Sequence, residues 1–157
     1  MHKALLAAAA IGLLGGCDRG PEPPEKTVQQ LMAQEVQPTA KIYWDSVQYI
    51  SDETGNHEIF PETDADWQRT RAAATKMAEL AALLKEPGYA DGRGKDWLQF
   101  SDSLAEVSRL AEQAADERST DKVFEVGGTM YSVCSACHQA YPAESEEGAA
   151  PTAAPEA

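Results

Sequence analysis

Apolar residues recur at steps of three and four in four successive stretches of the chain, and no stretch alternates with a period of two. In the first stretch Val28, Leu31, Met32, Val36, Thr39, Ile42, Tyr43, Val47 and Ile50 share one helical face. Pro38 interrupts it. A proline inside a helix forfeits one hydrogen bond and kinks a long helix whose flanks pack, so one bent helix is expected from about Thr27 to Glu53. The second stretch opens on a capping-type start, Thr63-Asp64-Ala65-Asp66. It carries Trp67, Arg71, Ala74, Met77, Ala78, Ala81 and Leu84 before Pro87-Gly88 stops it. The third begins after Gly94 with Trp97, Phe100, Leu104, Val107, Ala111 and Ala114. The fourth starts behind Ser119-Thr120-Asp121 with Val123, Phe124, Gly127, Met130, Cys134, Cys137 and Tyr141. Four helices of roughly 20 to 27 residues with short connections predict an all-α fold, an antiparallel up-down-up-down four-helix bundle. At helical spacing most aromatic and methionine side chains are core, and Trp44, Trp67 and Phe124 are read so.

The ends of the chain lack this periodicity. Residues 1–16 have a basic start at Lys3, an apolar stretch from Ala4 to Leu14 and small residues before Cys17, the pattern of an export signal peptide. Leu14-Gly15-Gly16-Cys17 resembles the lipobox of bacterial lipoproteins, which implies cleavage before Cys17 and acylation of it. An ordinary signal peptide with an incidental cysteine is the alternative. Residues 17–26 follow as a lipid-anchored, Pro-rich stalk; 27–142 form the helical domain, and 143–157, rich in Ala, Glu and Pro, a disordered acidic tail.

Composition narrows the partners. The chain has 157 residues, with 13 Lys plus Arg against 26 Asp plus Glu, and a net charge of −13. The acidic balance leaves no basic footprint to neutralise phosphates, so nucleic acid is not an expected partner. No run of 18 apolar residues is present to span a bilayer, so membrane attachment would rest on the lipid.

The strongest chemical signal is Cys134-Ser135-Ala136-Cys137-His138, a C-x-x-C-H in a chain marked for export. On a helix, residues i, i+3 and i+4 share a face, so two thiols can reach the two vinyl groups of one haem while the adjacent imidazole meets its iron. Zinc would require four ligands, and only His57 remains to complete Cys134, Cys137 and His138. A thioredoxin-type dithiol belongs at the start of a helix that follows a strand, whereas this motif ends the fourth helix.

With this motif near the end of four helices, the chain resembles class II c-type cytochromes, the cytochrome c prime family. The resemblance implies one covalent haem c near the C-terminal end of helix four, attached through Cys134 and Cys137, with His138 as proximal iron ligand. It implies electron transfer or gas binding according to the distal side. One departure is visible: many family members carry a basic residue shortly after the motif, and no Lys or Arg follows Lys122 here.

In an up-down bundle the end of helix four lies beside the start of helix one, which puts Met32 at the haem end as candidate distal ligand, with Leu31 the alternative that would leave iron five-coordinate. The same topology brings the connection between helices two and three there. Arg93 and Lys95 are then candidate propionate partners, and Trp97 and Tyr89 candidate pocket walls. His57 goes to the opposite end. Gly127 and Gly128 each cost a helix about 1 kcal/mol against alanine, so close packing or a local kink should explain them. The leading expectation is a periplasmic, lipid-anchored monohaem cytochrome that passes single electrons to redox proteins of basic surface and catalyses no bond rearrangement. A homodimer is an open arrangement. A five-coordinate sink or sensor for nitric oxide or carbon monoxide is the alternative, and a structural or assembly subunit a third.

Overall fold

The computed structural model describes residues 23–143. The expectations for the signal peptide, for Cys17 and for the tail beyond 143 lie outside the described residues. Between those limits the chain is mostly helical, with one small two-stranded sheet.

Thr27 starts the first helix through a reciprocal cap. Its hydroxyl accepts from the Gln30 N–H, and the Gln30 side-chain oxygen accepts from the Thr27 N–H. α1 (Val28–Leu31) runs into a π-helical segment (Met32–Val36) and then α2 (Gln37–Trp44) without leaving helical backbone angles, giving one helical run over 28–44. The π turn has a local cause. Pro38 has no N–H, and in α geometry its ring would crowd the Gln34 carbonyl; widening the preceding turn lets the Gln37 N–H donate to Met32, five residues back. The extra residue resets the helical phase. Buried positions step from Leu31 to Val36 and onward to Ala40, Tyr43 and Val47, which leaves polar Gln34 and Glu35 outside the core.

The helix ends at Trp44, nine residues before the expected Glu53. β1 (Gln48–Asp52) and β2 (Gly55–Ile59) follow as an antiparallel hairpin, Gln48 opposite Ile59 and Asp52 opposite Gly55. Val47 and Ile50 match the helical steps by coincidence of spacing: Ile50 is exposed, as is Ile42 in the helix itself. Tyr49 holds the hairpin down. Its ring meets Phe60 and Phe124 edge-on at 5.5 and 5.0 Å, and its hydroxyl donates to Asp121 at 3.2 Å. Phe124, expected in the core, is 53% exposed, because the ring it packs on belongs to this surface hairpin.

α3 (Asp64–Leu83) opens on a Thr63–Asp66 capping box, α4 (Pro87–Ala90) is one turn with proline in its first position, and α5 (Lys95–Asp116) follows. Ser119 caps α6 (Thr120–Ala140). Contacts at the helix ends fix directions. The Trp97 indole N–H at the start of α5 donates to the Leu84 carbonyl just past α3 at 2.6 Å, while Arg71, early in α3, pairs with Glu112 and Asp116 late in α5. Tyr141, just past α6, meets the Trp97 ring at 5.1 Å and donates its hydroxyl to the Arg93 carbonyl. Neighbouring long helices therefore run in opposite directions. Their shared core joins Leu31, Tyr43, Trp67, Met77, Leu104, Val107 and Met130 with Ala74, Ala81 and Ala111, whose small side chains let the backbones approach.

The two glycines of α6 have different explanations. At Gly127 an added Cβ would lie 3.2 Å from Trp44 Cδ1, and the Trp44 indole N–H donates to the Gly127 carbonyl at 3.0 Å; this glycine lets the indole sit against the helix backbone. At Gly128 an added Cβ meets nothing within 4 Å. Gly127→Val is expected to destabilise the fold by about 1–3 kcal/mol through overpacking, whereas Gly128→Ala should stabilise it by up to about 1 kcal/mol. Urea denaturation midpoints moving in opposite directions would verify the pair; equal shifts would refute it.

Candidate functional site

Where the 28–44 run, the first half of α5 and the second half of α6 converge, they leave a cavity of about 300 Å³. Met32, Val36, Ala40 and Trp44 line one wall at four-residue steps, the phase set by the π turn. Trp97, Phe100, Ser101 and Leu104 of α5 form a second wall; Tyr131, Val133, Cys134, Cys137 and His138 of α6 form the third. The surface is overwhelmingly apolar, which suits a hydrophobic ligand, and its volume lies at the small end of the range for ligand pockets.

Cys134, Cys137 and His138 reach this cavity because i, i+3 and i+4 lie on one helix face. Both cysteines are free thiols, half-buried, and burial pushes both up from the ordinary thiol range, with the neighbouring Cys137 adding to the rise at Cys134. A dithiol redox centre requires the reverse, a thiolate favoured by a helix N-terminus or a cation. The motif instead sits in the last turns of a long helix, with no strand before it.

His57 lies in β2, its ring 2.7 Å from the Thr54 hydroxyl and 3.3 Å from Asp52. The hairpin packs beside the start of α6, opposite the motif's end, so the four residues a zinc site would use are not brought together. Among the described residues no three His, Cys, Asp or Glu side chains gather in a metal-binding group. A haem iron asks for less, because the porphyrin supplies four nitrogens and the protein only axial ligands.

Of the two residues weighed for the distal position, Met32 lines the cavity and Leu31 does not; Leu31 is 2% exposed in the core. Met32 is the first residue of the π segment, and π turns inside α-helices often mark functional sites. Trp97 is a buried wall residue pinned by its bond to Leu84. Arg93 stands behind that wall: its guanidinium lies 4.6 Å over the Trp97 ring and its Nε donates to the Tyr89 carbonyl. Lys95 begins α5 in an exposed position, and Tyr89 is core rather than wall. Every other described Lys and Arg forms an ion pair with a carboxylate, so Arg93 and Lys95 are the two of that set without one.

Sequence reasoning missed Trp44, Phe100 and Tyr131 as wall residues. Trp44, read as core further along, meets Tyr131 edge-on at 6.0 Å, and both line the cavity. Spacing alone gave no signal for Trp44: twelve residues of unbroken α-helix would set it about 120° round from Met32, and the π turn brings the two onto one wall. Compared with protein-family models, with curated proteins and with solved structures, the chain finds no match in any of the three.

Proposed function

We propose that this chain is a monohaem c-type cytochrome that carries single electrons at the periplasmic face of a bacterial membrane. Its described helices would form an antiparallel up-down-up-down four-helix bundle with the haem in the cavity at the end of α6. The observation that carries this reading is the common cavity: two cysteines, a histidine and a methionine, the complete donor set for covalent attachment and Met/His axial ligation, face one apolar space. Cys134 and Cys137 would hold the haem, His138 would bind the iron on one side and Met32 on the other, and Trp97, Phe100 and Trp44 would exclude water from it. When bound, haem supplies a one-electron couple. Arg93 and Lys95, without a carboxylate partner among the described residues and near Trp97 of the cavity wall, are suited to propionates. No helix among the described residues is long and apolar enough to cross a membrane, so attachment would rest on an acylated Cys17. A net charge of −13 favours redox partners of basic surface, with association that slows as salt screens the field.

The test is the absorption spectrum of the purified protein, oxidised and reduced. A low-spin c-type spectrum is expected. A protein without haem would end this reading, and a high-spin spectrum would favour the five-coordinate gas-binding alternative.

A further inference from the structure

The last residues before α1 do not hang free. Pro24 packs on α4, where Gly88 makes room for it: a Cβ at 88 would lie 2.9 Å from Pro24 Cδ and 3.3 Å from Cγ. Two residues on, Lys26 donates to Glu35 of the π segment, and each holds the other in its charged form, the lysine raised and the carboxyl lowered by their hydrogen bond. Thr27 then caps α1. A short strap over 24–27 is therefore fastened at one end of the molecule, the end at which Met32, Leu84, Trp97 and His138 border the cavity. Leu84 before α4 and Trp97 after it both line that cavity, and Tyr141 beyond α6 bonds to Arg93 between them.

From this we infer that the strap fixes which end of the protein faces a lipid surface: the cavity end is turned toward the membrane and the hairpin end away from it. The inference rests on the proposed acylation of Cys17. From Cys17 to Pro24 is seven residues, which at full extension reach about 25 Å. The hairpin lies beside the start of α6, and α6 with its 21 residues is about 30 Å long, so the two ends differ in height by more than the tether's reach. A freely jointed stalk would attach at Thr27 and pivot there. Seating on Gly88 and Glu35 removes three residues of slack and gives the tether a fixed exit. Redox partners that approach the cavity would then be membrane-bound.

The lipidated full chain would be bound to phosphatidylcholine vesicles containing a phospholipid with a photoreactive headgroup, and cross-linked peptides mapped by mass spectrometry. Cross-links should be about tenfold heavier on peptides spanning 84–97 and 138–143 than on the hairpin, 48–60, because the length of α6 separates them. Gly88→Val and, without a change of bulk, Glu35→Gln should each even out that ratio. Equal labelling of hairpin and α4 in the wild type would overturn the orientation. A chain that does not float with the vesicles would overturn the lipid anchor itself and the orientation with it. The strap is tested separately on the soluble Cys17→Ser chain by limited trypsin digestion. Cleavage after Lys26 should be several-fold faster in Gly88→Val and Glu35→Gln than in the parent; unchanged cleavage would overturn the strap.

Discussion

Replacing either Cys134 or Cys137 by alanine is expected to leave haem held by a single thioether bond, and replacing both to leave none that survives denaturation. Both thiols open into the same apolar cavity from successive turns of α6, and burial shifts both upward from the ordinary thiol range. Two thiols so placed are suited to add across the two vinyl groups of one porphyrin, one bond each. The wild-type pigment should then remain with the polypeptide through acidified-solvent extraction, since thioether bonds do not dissociate, and the double variant should lose essentially all of it. The measurement is the haem absorbance that migrates with the denatured chain. Complete extraction from the wild type would refute covalent attachment. His138→Ala separates the roles: the thioethers should remain and the spectrum change, because the imidazole one residue beyond Cys137 faces the same cavity without contributing to attachment.

The placement of the cysteine–histidine motif on one helix face was more legible than the scaffold around it. C-x-x-C-H is read from identity and spacing alone, and a helix of 21 residues guarantees that Cys134, Cys137 and His138 share a face. The stripes through Trp67, Met77, Leu104, Val107 and Met130 are likewise buried where periodicity put them. What failed was the stretch after Trp44. Helical phasing continued through Val47 and Ile50, and nothing opposed it, because both strands of the hairpin lie on the surface and bury almost nothing. Alternation marks a strand only when one face is hidden. The π turn has the opposite character: Gln34 and Glu35 fall where an unbroken α-helix would need core residues, and Pro38 follows directly, so the slip in phase was written in the chain. The strap was invisible. Prolines before a helix look like a linker by composition, and only the fit of Pro24 on Gly88, some sixty residues away, shows one fastened to the fold.

That same π turn bears on the most exposed prediction. In Met32→Ala, carbon monoxide is expected to bind the reduced protein about 10- to 1,000-fold more tightly than in the wild type. The reasoning is competitive: if Met32 sulfur holds the sixth position so that it is open in about 1% of molecules, apparent affinity for an external ligand falls about 100-fold, and removal of the sulfur restores it. Met32 opens the π segment and lines the cavity in the same four-step row as Val36, Ala40 and Trp44, while Leu31 turns into the core. Without the π turn Met32 would not share this wall with Trp44, because twelve residues of unbroken α-helix would set the two about 120° apart. A thioether is a soft ligand that raises reduction potential, so Met32→Ala should also lower the midpoint, read by redox titration. Leu31→Ala serves as the control: it should weaken the fold by about 2–5 kcal/mol, as a buried leucine does, yet leave the low-spin spectrum in place at low temperature. If instead the wild type is high-spin, takes up carbon monoxide rapidly and is indifferent to the loss of Met32, then Met32 is a wall residue only, the iron is five-coordinate, and the protein binds gases rather than relaying electrons.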